Sequence, residues 1–289
     1  MTTRVRKRIM IIGLGALLLL GMVATQLSAI GARLILHPPH RRVAATPPPS
    51  CQNITFKVAG ANLRGWRGNA IGRRRGTLIY LHGVADNRAS GAEVMERFRE
   101  RGFDVVAYDS RAHGESEGDA CTYGFFEKQD LRIVLDSIRP GPVVLVGSSL
   151  GAAVALQLAA TDQRISAVVA AESFSDLRTV ATERAPFFFT AGTIDRALKL
   201  AEQQGQFEID SVSPVLAARA ITVPVLIIHG TADTDTPPDH AQRLFAALAG
   251  PKRLILVPKT RHNESLHGEE IWAEIEHWLD AVLGSNSNN

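Results

Sequence analysis

Ser149 sits in Gly147-Ser148-Ser149-Leu150-Gly151, a G-x-S-x-G sequence that directly follows an apolar run at 143–146 and directly precedes an alanine-rich stretch. A serine hydroxyl becomes a nucleophile when it is presented clear of its surroundings and an adjacent base takes its proton. A strand-to-helix turn does the first. The glycines permit a tight bend that projects one serine above a sheet, and the helix N-terminus beneath favours negative charge developing close by. For the base, His262 lies in Thr260-Arg261-His262-Asn263-Glu264, just after an apolar run at 253–257. A carboxylate accepting from the other imidazole nitrogen would fix its tautomer and stabilise the imidazolium. Asp233, in Thr231-Ala232-Asp233-Thr234-Asp235-Thr236-Pro237, is the candidate, with Asp235 the alternative in the same loop. A hydroxyl, an imidazole and a carboxylate so paired suit attack on an acyl carbonyl, and they occur in the chain order Ser, Asp, His. The backbone amides of Val84, after His82-Gly83, and of Leu150 are expected to donate to the oxyanion so formed.

Four other histidines read as structural or surface residues. His82 precedes the nucleophile and is expected to order its loop, as is a buried His229; His240 falls on a helix face and His267 on the surface. His113 with Asp109 suggests a metal pair, but no further ligand cluster has metal-site spacing, so a loop held by internal hydrogen bonds is expected. There is no Walker loop or dinucleotide fingerprint, and neither metal nor cofactor is expected.

Positioning these residues falls to short apolar runs at 77–81, 104–108, 143–146, 167–170, 225–228 and 253–257. They are continuously apolar rather than alternating, as parallel strands covered on both faces must be. Helical patterns lie between and after them at 92–101, 125–138, 150–160, 239–249 and 269–283; in the last, Ile271, Ile275, Trp278, Leu279 and Val282 make one apolar face. Such alternation predicts an α/β fold with a mostly parallel, doubly wound sheet and flanking helices. The runs 54–58 and 63–66 predict an antiparallel hairpin at the sheet edge. Residues 172–220 are predicted to form a short cap insertion, and its Phe174 and Phe187-Phe188-Phe189 are candidates either to line an apolar acyl pocket or to pack the cap against the body.

Before the folded part, residues 9–30 form an almost uninterrupted apolar run behind Arg4, Arg6, Lys7 and Arg8. Its length suits a retained membrane anchor. A cleaved signal peptide needs a shorter apolar region and a small-x-small site, for which only the surroundings of Ser28 and Ala29 are candidates. The basic cluster would keep the N-terminus cytoplasmic and send the rest across the membrane. Residues 1–36 are thus assigned to the basic flank and anchor. Residues 37–50, rich in Pro and Arg, are assigned to an extended spacer rather than packed structure, 51–284 to the folded domain and 285–289 to a polar tail. A net charge of +3 over 289 residues, with no basic stripe interleaved with aromatics, argues against nucleic-acid binding. Cys51 and Cys121 are too few for a disulfide scaffold; they could pair only outside the cytoplasm, and otherwise read as small, partly buried side chains.

Together these motifs resemble the α/β-hydrolase superfamily over residues 51–283. Beyond the serine turn and His82-Gly83, Asp109-Ser110-Arg111-Ala112-His113-Gly114-Glu115-Ser116 resembles the family's D-x-R-G-H-G-x-S stretch. Thr122-Tyr123-Gly124 and Asp130 resemble the branch holding serine aminopeptidase-like and membrane-anchored esterase-like members. His229-Gly230-Thr231-Ala232-Asp233 with Pro237 is similar to the family's H-G-x-x-D-x-x-V-P acid motif, with Thr236 in place of valine. His262-Asn263 resembles its G-H-N ending, with Arg261 where glycine is common. The resemblance implies hydrolysis of a carboxylic ester, on a small-molecule or lipid acyl substrate, through an acyl-enzyme. An aminopeptidase or thioesterase could use the same residues. A membrane-tethered, non-catalytic binding module is the rival from another class, and the intact Ser, Asp, His set argues against it.

Overall fold

Eight strands lie in one sheet among the residues that the computed structural model describes, 3–284. They are β1 (Cys51–Val58), β2 (Ala61–Gly68), β3 (Gly76–Leu81), β4 (Phe103–Tyr108), β5 (Val143–Ser148), β6 (Ile165–Ala171), β7 (Val225–Gly230) and β8 (Lys252–Val257). Their order is β1-β2-β4-β3-β5-β6-β7-β8. β1, β2 and β4 pair antiparallel at one edge, and every pairing from β4 to β8 is parallel. The expected edge hairpin is present, longer at both ends than its apolar residues alone suggest. The chain reverses its direction of travel across the sheet at β3, which lies between β4 and β5. The crevice at such a switch point, outside the carboxyl ends of the strands, is where open α/β sheets hold ligands.

Helices cover both faces. Alternate residues of β3 and β5, among them Ile79, Leu81 and Leu145, face one core with α3 (Glu127–Asp136), α4 (Leu150–Ala159), α7 (Pro214–Ala218) and α8 (Asp239–Ala247). Leu78, Tyr80, Val144 and Val146 face the other with α2 (Ala92–Glu100) and α9 (Glu269–Gly284). Burial on both sides is why these strands are uninterruptedly apolar. Cys121 belongs to the first core and Cys51 packs against the second, and both thiols are free. A pairing between them is therefore not made.

A third, smaller core lies under the insertion between β6 and β7, which carries α5 (Leu177–Glu183) and α6 (Ala191–Gly205). Asp176 caps α5 by accepting from the Thr179 amide, and Thr190 caps α6 by accepting from that of Thr193. Phe174 is buried in this core, whereas Phe187 is 99% and Phe188 55% exposed. His240 on α8 ties the insertion down: its Nδ1 accepts from the Ser175 amide at 2.9 Å and its Nε2 meets Glu183 Oε2 at 2.7 Å. It is completely buried, so its helix face points inward.

The first helix, α1 (Thr3–Leu36), continues six residues beyond the apolar run. Its Met10–Leu36 stretch, with mean hydropathy 2.1, is long and apolar enough to cross a membrane. Every residue from 10 to 23 is exposed, but Ser28, Ala32 and Leu36 are buried against the insertion. Their spacing places them on one helix face. The segment 37–50 forms neither helix nor strand and, against the expectation of an unpacked spacer, is strapped to the body. Pro38 and Pro48 are buried, the Asn87 amide donates to the carbonyls of Arg41 and Arg42, and Arg99 donates to that of Pro49 at 2.6 Å. Composition indicated a segment without helix or strand but could not indicate what it would lie against. The tail at 285–289 lies outside the described residues.

Candidate active site

Ser149 separates β5 from α4 and has φ 48°, ψ −108°, a left-handed geometry that side chains seldom adopt. Holding it there costs about 1–3 kcal/mol, which the surroundings must over-determine. The two neighbouring strands do so: the Ser149 amide donates to the carbonyl of Ala171 at 2.8 Å and the Gly151 amide to that of His82 at 3.1 Å. The glycines have a steric reason. A Cβ on Gly147 would lie 2.4 Å from the Ala152 nitrogen, and one on Gly151 2.1 Å from the Leu81 carbonyl oxygen.

Three side chains from three loops meet here. Ser149 Oγ is 3.1 Å from His262 Nε2, and His262 Nδ1 is 2.7 Å from Asp233 Oδ2. Asp233 is buried, and its other oxygen accepts from the amides of Asp235 and Thr236 at 3.0 and 2.8 Å. His229, fully buried, points Nε2 at the Thr236 carbonyl (2.7 Å) and at Asp233 Oδ2 (3.2 Å). Burial pushes the Asp233 carboxyl up. The hydrogen bonds from His229, His262 and the Thr236 amide outweigh that and hold it well below the usual carboxylate range. Asp235 has an exposed side chain and contributes its amide, and His267 is exposed as well.

The loop after β3 closes one side. His82 accepts from the Ser110 amide at Nε2 (2.9 Å), so Nδ1 carries the proton and donates to the Gly83 carbonyl (2.7 Å). This stitches the ends of β3 and β4 together and sets the path of Gly83, where a Cβ would stand 3.6 Å from Ser149 Cβ. Val84 follows in that loop. Leu150 is the first residue of α4, where an amide has no helical acceptor four residues back. The Asp109 carboxylate is engaged by the Arg88 guanidinium and by the amides of Arg88 and Glu115. Among the described residues, no group of three or more His, Cys, Asp and Glu is arranged to hold a metal ion.

One residue of the site escaped the sequence reading. Glu172, buried just after β6 with φ 55°, accepts from the amides of Asn263, Glu264 and Ser265 at 2.7, 3.1 and 2.9 Å. It therefore clamps the turn that carries His262. The left-handed positions of that turn fall at Lys259 (φ 59°) and Asn263 (φ 66°), so position 261 needs no glycine and Arg261 fits. A Glu172→Gln side chain would aim an NH2 at amides that need acceptors. The expected result is a fall in kcat of about tenfold to a hundredfold with KM little changed, since ångström-scale misplacement of a reacting group costs that much. Steady-state kinetics decides it; an unchanged kcat would remove Glu172 from any positioning role.

His113 makes a separate prediction. Its ring is buried beside that of His82, Nδ1 contacts the Arg111 carbonyl at 2.8 Å, and Nε2 is buried without a hydrogen-bond partner. Burial first, then the neighbouring His82, lowers its pKa to about 4. The unfolded chain takes the proton near pH 6.5, so the contribution to stability is complete above that pH and is lost as pH falls toward 4. The expected loss is on the order of 3 kcal/mol. Thermal unfolding between pH 7 and 4.5 should show a shallower decline for His113→Gln than for the native chain; equal slopes would refute it.

A family model described as alpha/beta hydrolase fold matches residues 76–216, and one described as PhoPQ-activated pathogenicity-related protein matches 191–287. The chain belongs to the α/β-hydrolase family. Among curated proteins it is similar to the uncharacterized protein YfhR of Salmonella typhi, 30% identical over 252 residues, 80% of each chain. Among solved structures it is similar to the Pyrococcus furiosus esterase Pf2001, with a TM-score of 0.69 at 21% identity over 86% of this chain and 99% of that one. It is also similar to the Pyrococcus horikoshii acylaminoacyl peptidase, with a TM-score of 0.63 at 14% identity over 81% of this chain and 41% of that one.

Proposed function

We propose that the protein is a serine hydrolase that cleaves a carboxylic ester through an acyl-enzyme, with Ser149 as nucleophile, His262 as base and Asp233 as its orienting carboxylate. The observation that carries this reading is the hydrogen-bonded chain from Ser149 Oγ through His262 to Asp233, at 3.1 and 2.7 Å. His262 takes the proton of Ser149 as Oγ bonds to the acyl carbon. The amides of Val84 and Leu150 stabilise the oxyanion, each worth about 3 kcal/mol. The ester C–O bond then breaks and the alcohol leaves with that proton. Water, deprotonated by His262, attacks the acyl-enzyme and releases the carboxylic acid.

Residues 51–284 form the hydrolase domain with 172–220 as its cap, and α1 anchors it. The basic cluster before the apolar run supports a cytoplasmic N-terminus and an extracytoplasmic hydrolase. A fluorophosphonate probe should label the native chain and not Ser149→Ala; labelling that persists in the variant would sink the assignment. p-Nitrophenyl esters run beside aminoacyl anilides and thioesters identify the acyl bond.

A further inference from the structure

A cavity of about 290 Å³ lies between the cap, the end of α1 and the loop after β3. Leu34 and Ile35 of α1, Phe189, Leu198 and Val84 are among the apolar residues around it, and among the described residues Arg184 is the only charged one that lines it. Two of these residues connect it to the proposed reaction centre. Val84 is one of the two proposed oxyanion donors, and Arg184 Nη2 lies 3.5 Å from His262 Nε2. Arg184 is itself held by the Asp235 carbonyl at 2.7 Å and Thr236 Oγ1 at 2.6 Å.

One wall of this cavity is thus the far end of the helix that is long and apolar enough to cross a membrane. A hydrocarbon core of about 30 Å takes up about 20 residues. Counted from Met10, that brings its far boundary close to Ile30, which is itself 51% exposed. Gly31 follows at once, and its Cα lies so close to the cap that a Cβ would stand 2.9 Å from Ala197 Cβ and 3.1 Å from Phe189. The Ser28 hydroxyl donates to the Thr193 carbonyl at 3.2 Å, one turn earlier. The cap loop therefore sits at the depth where the span ends, and there Phe187 is almost wholly exposed while Phe188, more than half exposed, packs its ring against those of Phe187 and Phe189. Exposed phenylalanine rings at that depth can bury themselves at the boundary between headgroups and acyl chains.

We infer that the cavity is an acyl site opening at the bilayer surface, and that the substrate is the ester of a membrane-resident lipid whose chain passes from the bilayer along α1 to Ser149. This deepens the proposed function and rests on it. The volume is at the low end of ligand sites, about 300–1,000 Å³, and suits one acyl chain rather than a two-chain lipid. The anchor is then part of the binding site, with Leu34 exposed to the cavity rather than locked in a core.

The test uses the full chain reconstituted in phosphatidylcholine vesicles, with p-nitrophenyl acetate and p-nitrophenyl decanoate. Leu34→Trp fills the cavity from the helix side without touching a buried position. It should lower the decanoate-to-acetate ratio of kcat/KM at least tenfold. Phe187→Ser with Phe188→Ser, both solvent-exposed, should lower the same ratio several-fold in vesicles and leave it unchanged in detergent micelles. A ratio unaltered by Leu34→Trp overturns the acyl site, and a double variant alike in vesicles and micelles overturns the bilayer entry; the proposed esterase activity survives either result. Absence of any Ser149-dependent hydrolysis in the native chain overturns the proposed function and this inference with it.

Discussion

Replacing Ser149 or His262 with alanine is expected to lower turnover of an activated ester by on the order of a million-fold, and by similar amounts for the two residues. Similarity follows from their working as a unit. Without His262 the hydroxyl keeps its proton, and without Ser149 the base has no nucleophile to activate, so losing either forfeits the whole covalent route. The double variant should be scarcely worse than either single one. What remains, about a thousandfold to ten-thousandfold above water, would come from the oxyanion amides and substrate binding. The measurement is kcat with p-nitrophenyl acetate for both single variants and the double. A His262→Ala protein within tenfold of native activity would dismiss the imidazole as base, and strictly additive losses would dismiss the shared step.

Asp233→Asn is expected to lower kcat by about ten-thousandfold at neutral pH, through the wrong imidazole tautomer. The local structure adds a second cost. Every acceptor position of Asp233 already faces a donor: His262 and His229 on one oxygen, the amides of Asp235 and Thr236 on the other. An asparagine must turn its NH2 toward one of these sets, leaving donors opposed to donors inside a buried pocket. Asp235→Asn, changing an exposed side chain, should remain within about twofold of native activity, since surface substitutions away from such features have small effects. Parallel losses in the two variants would reassign the acid. Because its partners hold Asp233 ionised far into the acid range, an acid limb in the pH–rate profile above pH 4 would belong to another group.

The serine turn, the acid loop and the histidine loop were legible because each follows an apolar strand and carries glycine or proline punctuation. Residues at strand ends in a parallel sheet have only one edge on which to meet. Glu172 was not legible for an equally physical reason. Its partners are backbone amides about ninety positions away, and a peptide N–H carries no mark of the side chain above it. A carboxylate after a strand is also what any solvated loop would show. The cap contact of α1 lies between these cases. Ser28, Gly31, Ala32 and Leu36 recur at helical spacing, but the surrounding leucines and isoleucines submerge that period in a uniformly apolar signal. In segment 37–50 proline restricted the backbone without choosing its neighbour, and Arg99 and Asn87, distant in the chain, made the choice.

The unbroken course of α1 into the cap has a mechanical consequence. A catalytic head on a loose tether samples many tilts and distances, and its mouth meets the lipid plane only part of the time. Here no joint separates the buried turns at Ser28–Leu36 from the exposed ones before them, so tilting the stem tilts the head. In the proposed anchored arrangement, bilayer thickness, one influence on the tilt of a span, would then act directly on how the mouth addresses its proposed substrate.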